Sequence, residues 1–159
     1  MLDLILKNAT IVTHEERFPG NLLIHEGLIT AISASQYLPE AMETIDLQGK
    51  YVIPGAIDAH VHFQDPGLTH REDFESATAA AAVGGITTAI SHPMNIPPIV
   101  DVDSYRFTMR AYQGRGYIDY GIHGGGTSNN LEQIDALWKD TGATSIKMFM
   151  CFSVDDFPY

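Results

Sequence analysis

The sequence predicts an α/β protein in two parts: a small β-rich domain, then the first four strands of a (β/α)8 TIM barrel. Three observations carry this. Residues 1 to about 53 are short apolar segments separated by turn residues, and no helical period fits them. After Pro54-Gly55, strand-like runs alternate with helix-like ones, the mark of βαβ units around a parallel sheet. Four strands with three intervening helices, in units of roughly 30 residues, match half of an eight-fold barrel, which needs about 250 residues. A doubly wound open sheet shares this alternation, but no G-x-G-x-x-G follows the first strand of the second part.

In the first part, "DLILKNATIV", "NLLIHEGLITAIS" and "ETIDLQGKYVI" read as strands, with Glu26-Gly27 and Gln48-Gly49 as tight turns. The second part, 54–159, opens with the strand "AIDAHVHF" and the turn Asp65-Pro66-Gly67. A first helix is expected after Thr69 as N-cap, with Glu72 completing a capping box, running to about Val83 and ending at Gly84-Gly85. Its alanines Ala77, Ala80 and Ala81 would approach the sheet closely. Residues 86–92 form a buried strand, and a second helix spans about Asp103 to Gly114. "YIDYGIHGGG" is a third strand entering a glycine-rich loop. Leu131, Ile134, Leu137 and Trp138 make the apolar stripe of a third helix, opened by Asn129 or Asn130 and closed by Gly142. Residues 144–150, "TSIKMFM", are the fourth strand.

With 45% hydrophobic residues in 159, the chain can bury a sizeable core. Its net charge of -11, from 20 acidic and 9 basic residues, repels nucleic acid and anionic lipid surfaces. The start reaches Lys7 and Asn8 too soon for a signal-peptide core, and no apolar run has the length of a membrane span, so a cytoplasmic protein is expected. Cys151 is the single cysteine, which excludes an internal disulfide framework.

The chemistry centres on "AIDAHVHFQDPG", residues 56–67. Strand side chains alternate, so Asp58, His60, His62 and Gln64 share one face while Ile57, Ala59, Val61 and Phe63 share the other. In a barrel the oily face packs on the helices, leaving the histidines inward near the strand's C-terminal end, where such folds carry their active sites. An H-x-H pair there either binds a metal ion or is a pair of satisfied core histidines. Lys147 is the one charged residue of "TSIKMFMCF", in a strand that reads as buried. Such a lysine finds an anion, snorkels to solvent, or becomes neutral. A neutral amine can add carbon dioxide to give a carbamate, an anionic oxygen ligand that two divalent ions can share.

"PGAIDAHVHFQDPGLTHREDFESATAAAAVGGITT" together with "SIKMFM" resembles the cyclic-amide branch of the metal-dependent amidohydrolase superfamily: allantoinases, dihydroorotases and dihydropyrimidinases (hydantoinases). The resemblance spans essentially the whole chain. It implies that His60 and His62 ligate metal, that Lys147 is the carboxylated lysine bridging two divalent ions, zinc expected, and that residues 1–53 belong to a small β-sandwich domain. It implies hydrolysis of a cyclic amide by a metal-bridged hydroxide. The general acid-base aspartate, two further metal histidines and the strands that complete the sandwich are expected beyond Tyr159, so the chain alone is expected to be inactive. The full-length protein is expected to be a homo-oligomer acting on a small molecule. A non-catalytic scaffold is the contrasting expectation, disfavoured by His60, His62 and Lys147 occurring together. A half-barrel completed by a second copy of the chain is another, since unpaired edges on the first and fourth strands would demand a partner.

Within that branch, dihydroorotases usually carry arginine where this chain has Gln64, to pair with a substrate carboxylate. Gln64 and Asn95, the latter in "HPMNIPP", resemble allantoinases better and would bind an uncharged ureide ring; for both residues turn chemistry is the other explanation. Hydantoinases share "KMFM" but typically place tyrosine at Phe152. His70, His92 and His123 take no metal role from their number alone, although His92 and His123 end the second and third strands and so line the barrel mouth. His14 and His25 belong to the small domain as surface or structural residues. Gly124-Gly125-Gly126 either cradles an anion through backbone amides or lets a loop bend, and no phosphate site is assigned to it.

Overall fold

Strand β1 (Leu2–Val12) organises the first part of the chain. In the computed structural model, which describes residues 1–150, it is flanked by β2 (Arg17–His25), β3 (Leu28–Ser33), β4 (Ala41–Asp46) and β5 (Tyr51–Val52). The sheet order is β3-β2-β1-β4, with β5 also on β1. β1 and β2 pair antiparallel, as do β2 and β3, whereas β4 and β5 both run parallel to β1, along Leu2–Lys7 and Thr10–Ile11. The edge breaks between them at Asn8, whose φ is 56°. Its N–H donates to Asn21 Oδ1 (2.9 Å) and its side-chain amide to the Asp46 carboxylate (3.0 Å), so an asparagine satisfies the backbone where the ladder is interrupted. Both turns expected from the sequence are present, with positive φ at Glu26, Gly27, Gln48 and Gly49. Ala9, Ile11 and Leu22 form the buried cluster of this unit, which spans Met1–Pro54.

From Gly55 onward a second unit follows. Its elements are β6 (Ala56–Val61), α1 (Phe74–Val83), β7 (Ile86–Ser91), α2 (Val102–Tyr112), β8 (Asp119–Ile122), β9 (Gly124–Gly126), a 3-10 turn (Leu131–Gln133) leading into α3 (Ile134–Lys139), and β10 (Ile146–Met148). Every strand pair is parallel: β6 with β7, β7 with β8, and β9 with β10. Only His123 separates β8 from β9, so the strands follow one another in chain order across the unit, with a helix in each crossover. No described helix is long and apolar enough to cross a membrane.

The core of this unit joins Phe63, Phe74, Ala77, Ala89, Ile99, Tyr105, Tyr112, Ile122 and Leu137. Phe74 stacks on Tyr112 (3.9 Å between centroids), and Phe63 meets Phe74 edge-on at 5.1 Å. Val61 packs on the same cluster, so the end of the oily face of β6 is used as its alternation requires, while Ile57 and Ala59 nearer its start are exposed.

Several local expectations are corrected. α1 begins at Phe74, and its N-cap is Asp73, which accepts from the Ser76 N–H; Thr69 and Glu72 cap nothing. The start is displaced because residues 65–73 are held as turns. Asp65 accepts from the Phe74 N–H (3.2 Å) and pairs with Arg115 (2.9 Å), which anchors the helix entry at residue 74. The buried face of α1 is Phe74, Ala77 and Thr78, while Ala80 is exposed. α2 starts at Val102 behind an Asp101/Ser104 capping box. The third helix is short, and of its expected stripe Leu137 is buried while Leu131 and Trp138 are exposed. β7 is buried on one face only, at Ala89 and Ser91.

The largest difference is at Gly124–Gly126, which is a strand, not a bend, and pairs in register with Ile146–Met148. A Cβ at Gly124 would lie 2.4 Å from Leu137 Cδ2, so α3 packs directly on bare backbone there. Asn130 holds the segment from behind: its Nδ2 donates to Val100 O (2.6 Å) and Gly125 O (2.8 Å), and its Oδ1 accepts from the Thr127 N–H (2.7 Å).

Arg115→Ala removes the cation facing the buried Asp65 carboxylate and is expected to destabilise the full-length protein by about 2 kcal/mol. Urea unfolding checks this. In the double variant with Asp65→Asn, the combined loss should be smaller than the sum of the single losses.

Candidate metal centre

The parallel pairing brings the carboxyl ends of β6, β7 and β8 to one side of the sheet. Along β6 the step from Asp58 to Val61 faces the shorter step from Ala89 to Ser91, so β6 carries one extra residue opposite β7. In this bulge the His60 N–H donates to Asp58 Oδ1 (3.0 Å), a side-chain acceptor on its own strand. Two further bonds step the strand ends past one another: His92 N–H to Val61 O (2.9 Å) and His123 N–H to Ser91 O (2.9 Å).

The outcome is a cluster of four imidazoles. His60 and His62 lie 5.7 Å apart by ring centroid, His92 lies 3.9 Å from His60 and 5.0 Å from His62, and His123 meets His92 edge-on at 5.1 Å. One donor nitrogen from each of His60, His62 and His92 falls within 4.8 Å of the other two. His123 is different. Its Nε2 faces Ala59 O (3.3 Å), an acceptor only, so this nitrogen carries the proton, and Nδ1 accepts from the Ser145 hydroxyl (2.7 Å). Both of its nitrogens are occupied, and it braces β6 against the segment entering β10.

Lys147 sits on β10 opposite Gly125, half-buried, with Nζ 4.9 Å from the Phe149 ring centroid. Its charge reaches the histidines. Burial above all, then the charges of His60 and Lys147, depresses the pKa of His62; burial, His60, His62, Lys147 and His123, in that order, bring His92 down to about 4. Both imidazoles are therefore neutral at pH 7, the form in which a histidine ligates metal.

Gln64 is half-buried two residues beyond His62, and its main chain accepts from the Leu68 N–H in the following turn. Asn95 is 2% exposed, and its Nδ2 donates to Asp65 O and to the Tyr112 hydroxyl (3.2 Å). These bonds clamp the turn after β6 to α2, as turn chemistry would have it, and leave its Oδ1 without a partner among the described residues. Phe152 and Cys151 lie outside the described residues. His25 pairs with Asp3 (3.3 Å) and His14 stands beside Glu15 (3.5 Å), both in the first unit and exposed. The sequence placed His92 at a strand end without assigning it to the cluster. The available signal was its position immediately after an apolar strand, one parallel neighbour from His60.

The sequence profile of the amidohydrolase family matches residues 51–148. The chain is 38% identical over 155 residues to the L-hydantoinase of Paenarthrobacter aurescens, covering 97% of this chain and 34% of that protein. It is 38% identical over 159 residues to the allantoinase of Deinococcus radiodurans (99% and 35%), and 36% identical over 154 residues to the dihydroorotase of Methanosarcina acetivorans (96% and 32%). Among solved structures, the L-hydantoinase (dihydropyrimidinase) from Arthrobacter aurescens superposes with a TM-score of 0.93 at 37% identity, covering 100% of this chain and 35% of that one. A D-hydantoinase structure superposes at 0.82 with 35% identity, covering 99% of this chain and 35% of that one. The mixed α/β fold is that of the hydantoinase structures, and the chain spans about a third of the length of the curated relatives it matches.

The depressed imidazoles carry a pH signature. Below 6.5, the ordinary histidine value, the unfolded chain binds protons that folded His92 does not. Stability of the metal-free protein is therefore full above that value and declines as the pH falls towards about 4. Urea midpoints across this range check it, and His92→Leu should flatten the decline; an unchanged slope would contradict the assignment.

Proposed function

Because the chain belongs to the amidohydrolase family, we propose that it is the N-terminal part of a metal-dependent hydrolase of cyclic amides, with His60, His62 and Lys147 as metal ligands. The observation that carries this is the convergence of imidazole donors within 4.8 Å of one another beside the charge of Lys147. These residues fit a divalent cation: burial lowers the pKa of His62 and His92, and a buried nitrogen of the cluster, His92 Nδ1, has no hydrogen-bond partner among the described residues. A divalent ion held there, zinc by its preference for imidazole, supplies Lewis-acid polarisation of an amide carbonyl and lowers the pKa of water.

The residues divide the remaining work. His60 and His62 hold position through the bulge in β6 and the bonds at its end. Lys147, on the strand paired with Gly124–Gly126, offers an amine that in its unprotonated form takes up carbon dioxide, forming an N–C bond and releasing a proton, and so becomes an anionic oxygen donor suited to two ions. Gln64 presents an uncharged amide to the ring of the substrate, which favours a ureide such as allantoin over a carboxylate-bearing ring. Dihydroorotate and hydantoin or dihydropyrimidine rings are the alternative substrates. In this view residues 1–53 contribute to a small β-sandwich domain, and β6, β7, β8/β9 and β10 within 54–159 are the first four strands of a TIM barrel. The general acid-base aspartate comes from outside this chain, and the complete protein is a homo-oligomer.

Two measurements on the full-length protein test this. Lys147→Ala should abolish hydrolysis and lower the metal content from two ions per chain to one or none, with partial recovery when a short-chain carboxylate is added; undiminished metal and activity would overturn the assignment. Against allantoin, hydantoin and dihydroorotate, allantoin should be preferred. Gln64→Arg should raise the relative rate on dihydroorotate about tenfold or more, as a new charge-assisted hydrogen bond of about 1.5–3 kcal/mol implies. Preference of the unaltered enzyme for dihydroorotate would refute the role given to Gln64.

A further inference from the structure

We propose that His92 is a third nitrogen ligand, sharing with His60 and His62 one divalent cation in a three-imidazole site built from β6 and the end of β7. This rests on the metal-hydrolase reading above and extends it to a residue that the sequence left without a role.

Four observations carry it. His92 is 5% exposed, yet its Nδ1 meets no hydrogen-bond partner among the described residues, unlike a satisfied core histidine. Three other imidazole rings, those of His60, His62 and His123, stand within 5.1 Å of its own by centroid. Its main chain is fixed by the bond to Val61 O, the carbonyl between His60 and His62, so its place beside both is set by strand register and not by a free loop. Finally, one donor nitrogen from each of the three lies within 4.8 Å of the others. Tetrahedral ligands about 2.0–2.1 Å from zinc stand about 3.3 Å apart, so the cluster draws in by at most about 1.5 Å to close on one ion.

The fourth imidazole separates ligand from support. His123, with both nitrogens engaged by Ala59 O and Ser145 Oγ, has no lone pair to offer, and its edge against His92 limits how that ring can turn. A histidine that only positions others has its nitrogens occupied in this way. His92 does not.

The site this makes differs from a two-histidine one in a measurable respect: three neutral donors hold one ion without the carboxylated lysine. Lys147→Ala in the full-length protein is thus expected to keep one tightly bound ion, and His92→Leu in that background to lose it. Two readouts besides activity decide. In cobalt(II)-loaded protein, paramagnetic proton NMR counts the shifted exchangeable imidazole N–H signals, and His92→Leu should have one fewer. Zinc affinity, measured by chelator competition, should fall by more than the about 10–100-fold that loss of a supporting residue gives. His92→Gln, which keeps a polar buried side chain, replaces the leucine variant should that one fail to fold by circular dichroism. An unchanged signal count with unchanged affinity would overturn the ligand role of His92 alone. Unaltered protein that takes up no metal would overturn both this assignment and the hydrolase reading beneath it.

Discussion

The bond from the His92 N–H to Val61 O (2.9 Å) is the contact on which the candidate centre depends. Val61 is the hinge of two functions. Its side chain packs into the core with Phe63 and Phe74, and its carbonyl, pointing along the sheet, fixes where β7 ends relative to β6. Parallel ladders place all carboxyl ends on one side, and this bond turns that general property into a particular juxtaposition, with His92 alongside His60 and His62. The extra residue in β6 adds the local freedom needed for His60 to leave the regular ladder without an unsatisfied amide, since Asp58 accepts its N–H.

Behind the histidines lies a polar clamp that holds the turn after β6. Asp65 accepts from the Phe74 N–H and from Arg115, its carbonyl accepts from Asn95, and Asn95 donates in turn to Tyr112, whose ring stacks on Phe74. A buried polar network of this kind is stabilising only when most members are paired. Tyr112, with burial pushing its hydroxyl pKa well above the usual range, stays a neutral hydrogen-bonding partner at any physiological pH. The clamp ties Phe63 and Asp65, the two buried residues that follow the second histidine, to the core, so Gln64 between them is carried on a supported turn.

Much of this was legible in the sequence. The change of rhythm at Pro54-Gly55, the tight turns of the first unit and the placing of His60 and His62 at the end of one strand and Lys147 on a later one all follow from short-range pattern, which alternation and turn chemistry encode directly. What escaped was decided by partners distant in the chain. Thr69 and Glu72 form an acceptable capping box in isolation, but Asp65 and Arg115, 50 residues apart, settle the helix start at Phe74. Asn95 has the composition of a binding-loop residue, and only the proximity of Tyr112 and the Asp65 carbonyl shows where its amide goes. His92 was placed correctly along the chain, while its membership of the cluster depends on the register of β6 against β7, which no local pattern specifies.

The glycine strand β9 has an implication for Lys147. A strand normally resists slippage because moving it by one residue would exchange its oily and polar faces, but three consecutive glycines have no faces to exchange. Side-chain alternation in this segment cannot tell Gly125 from its neighbours as the partner of Lys147. That discrimination falls to Asn130, whose amide grips the Gly125 carbonyl while anchored to Val100. The aim of the lysine is therefore inherited from an asparagine 17 positions upstream, through backbone that bears no side chains of its own.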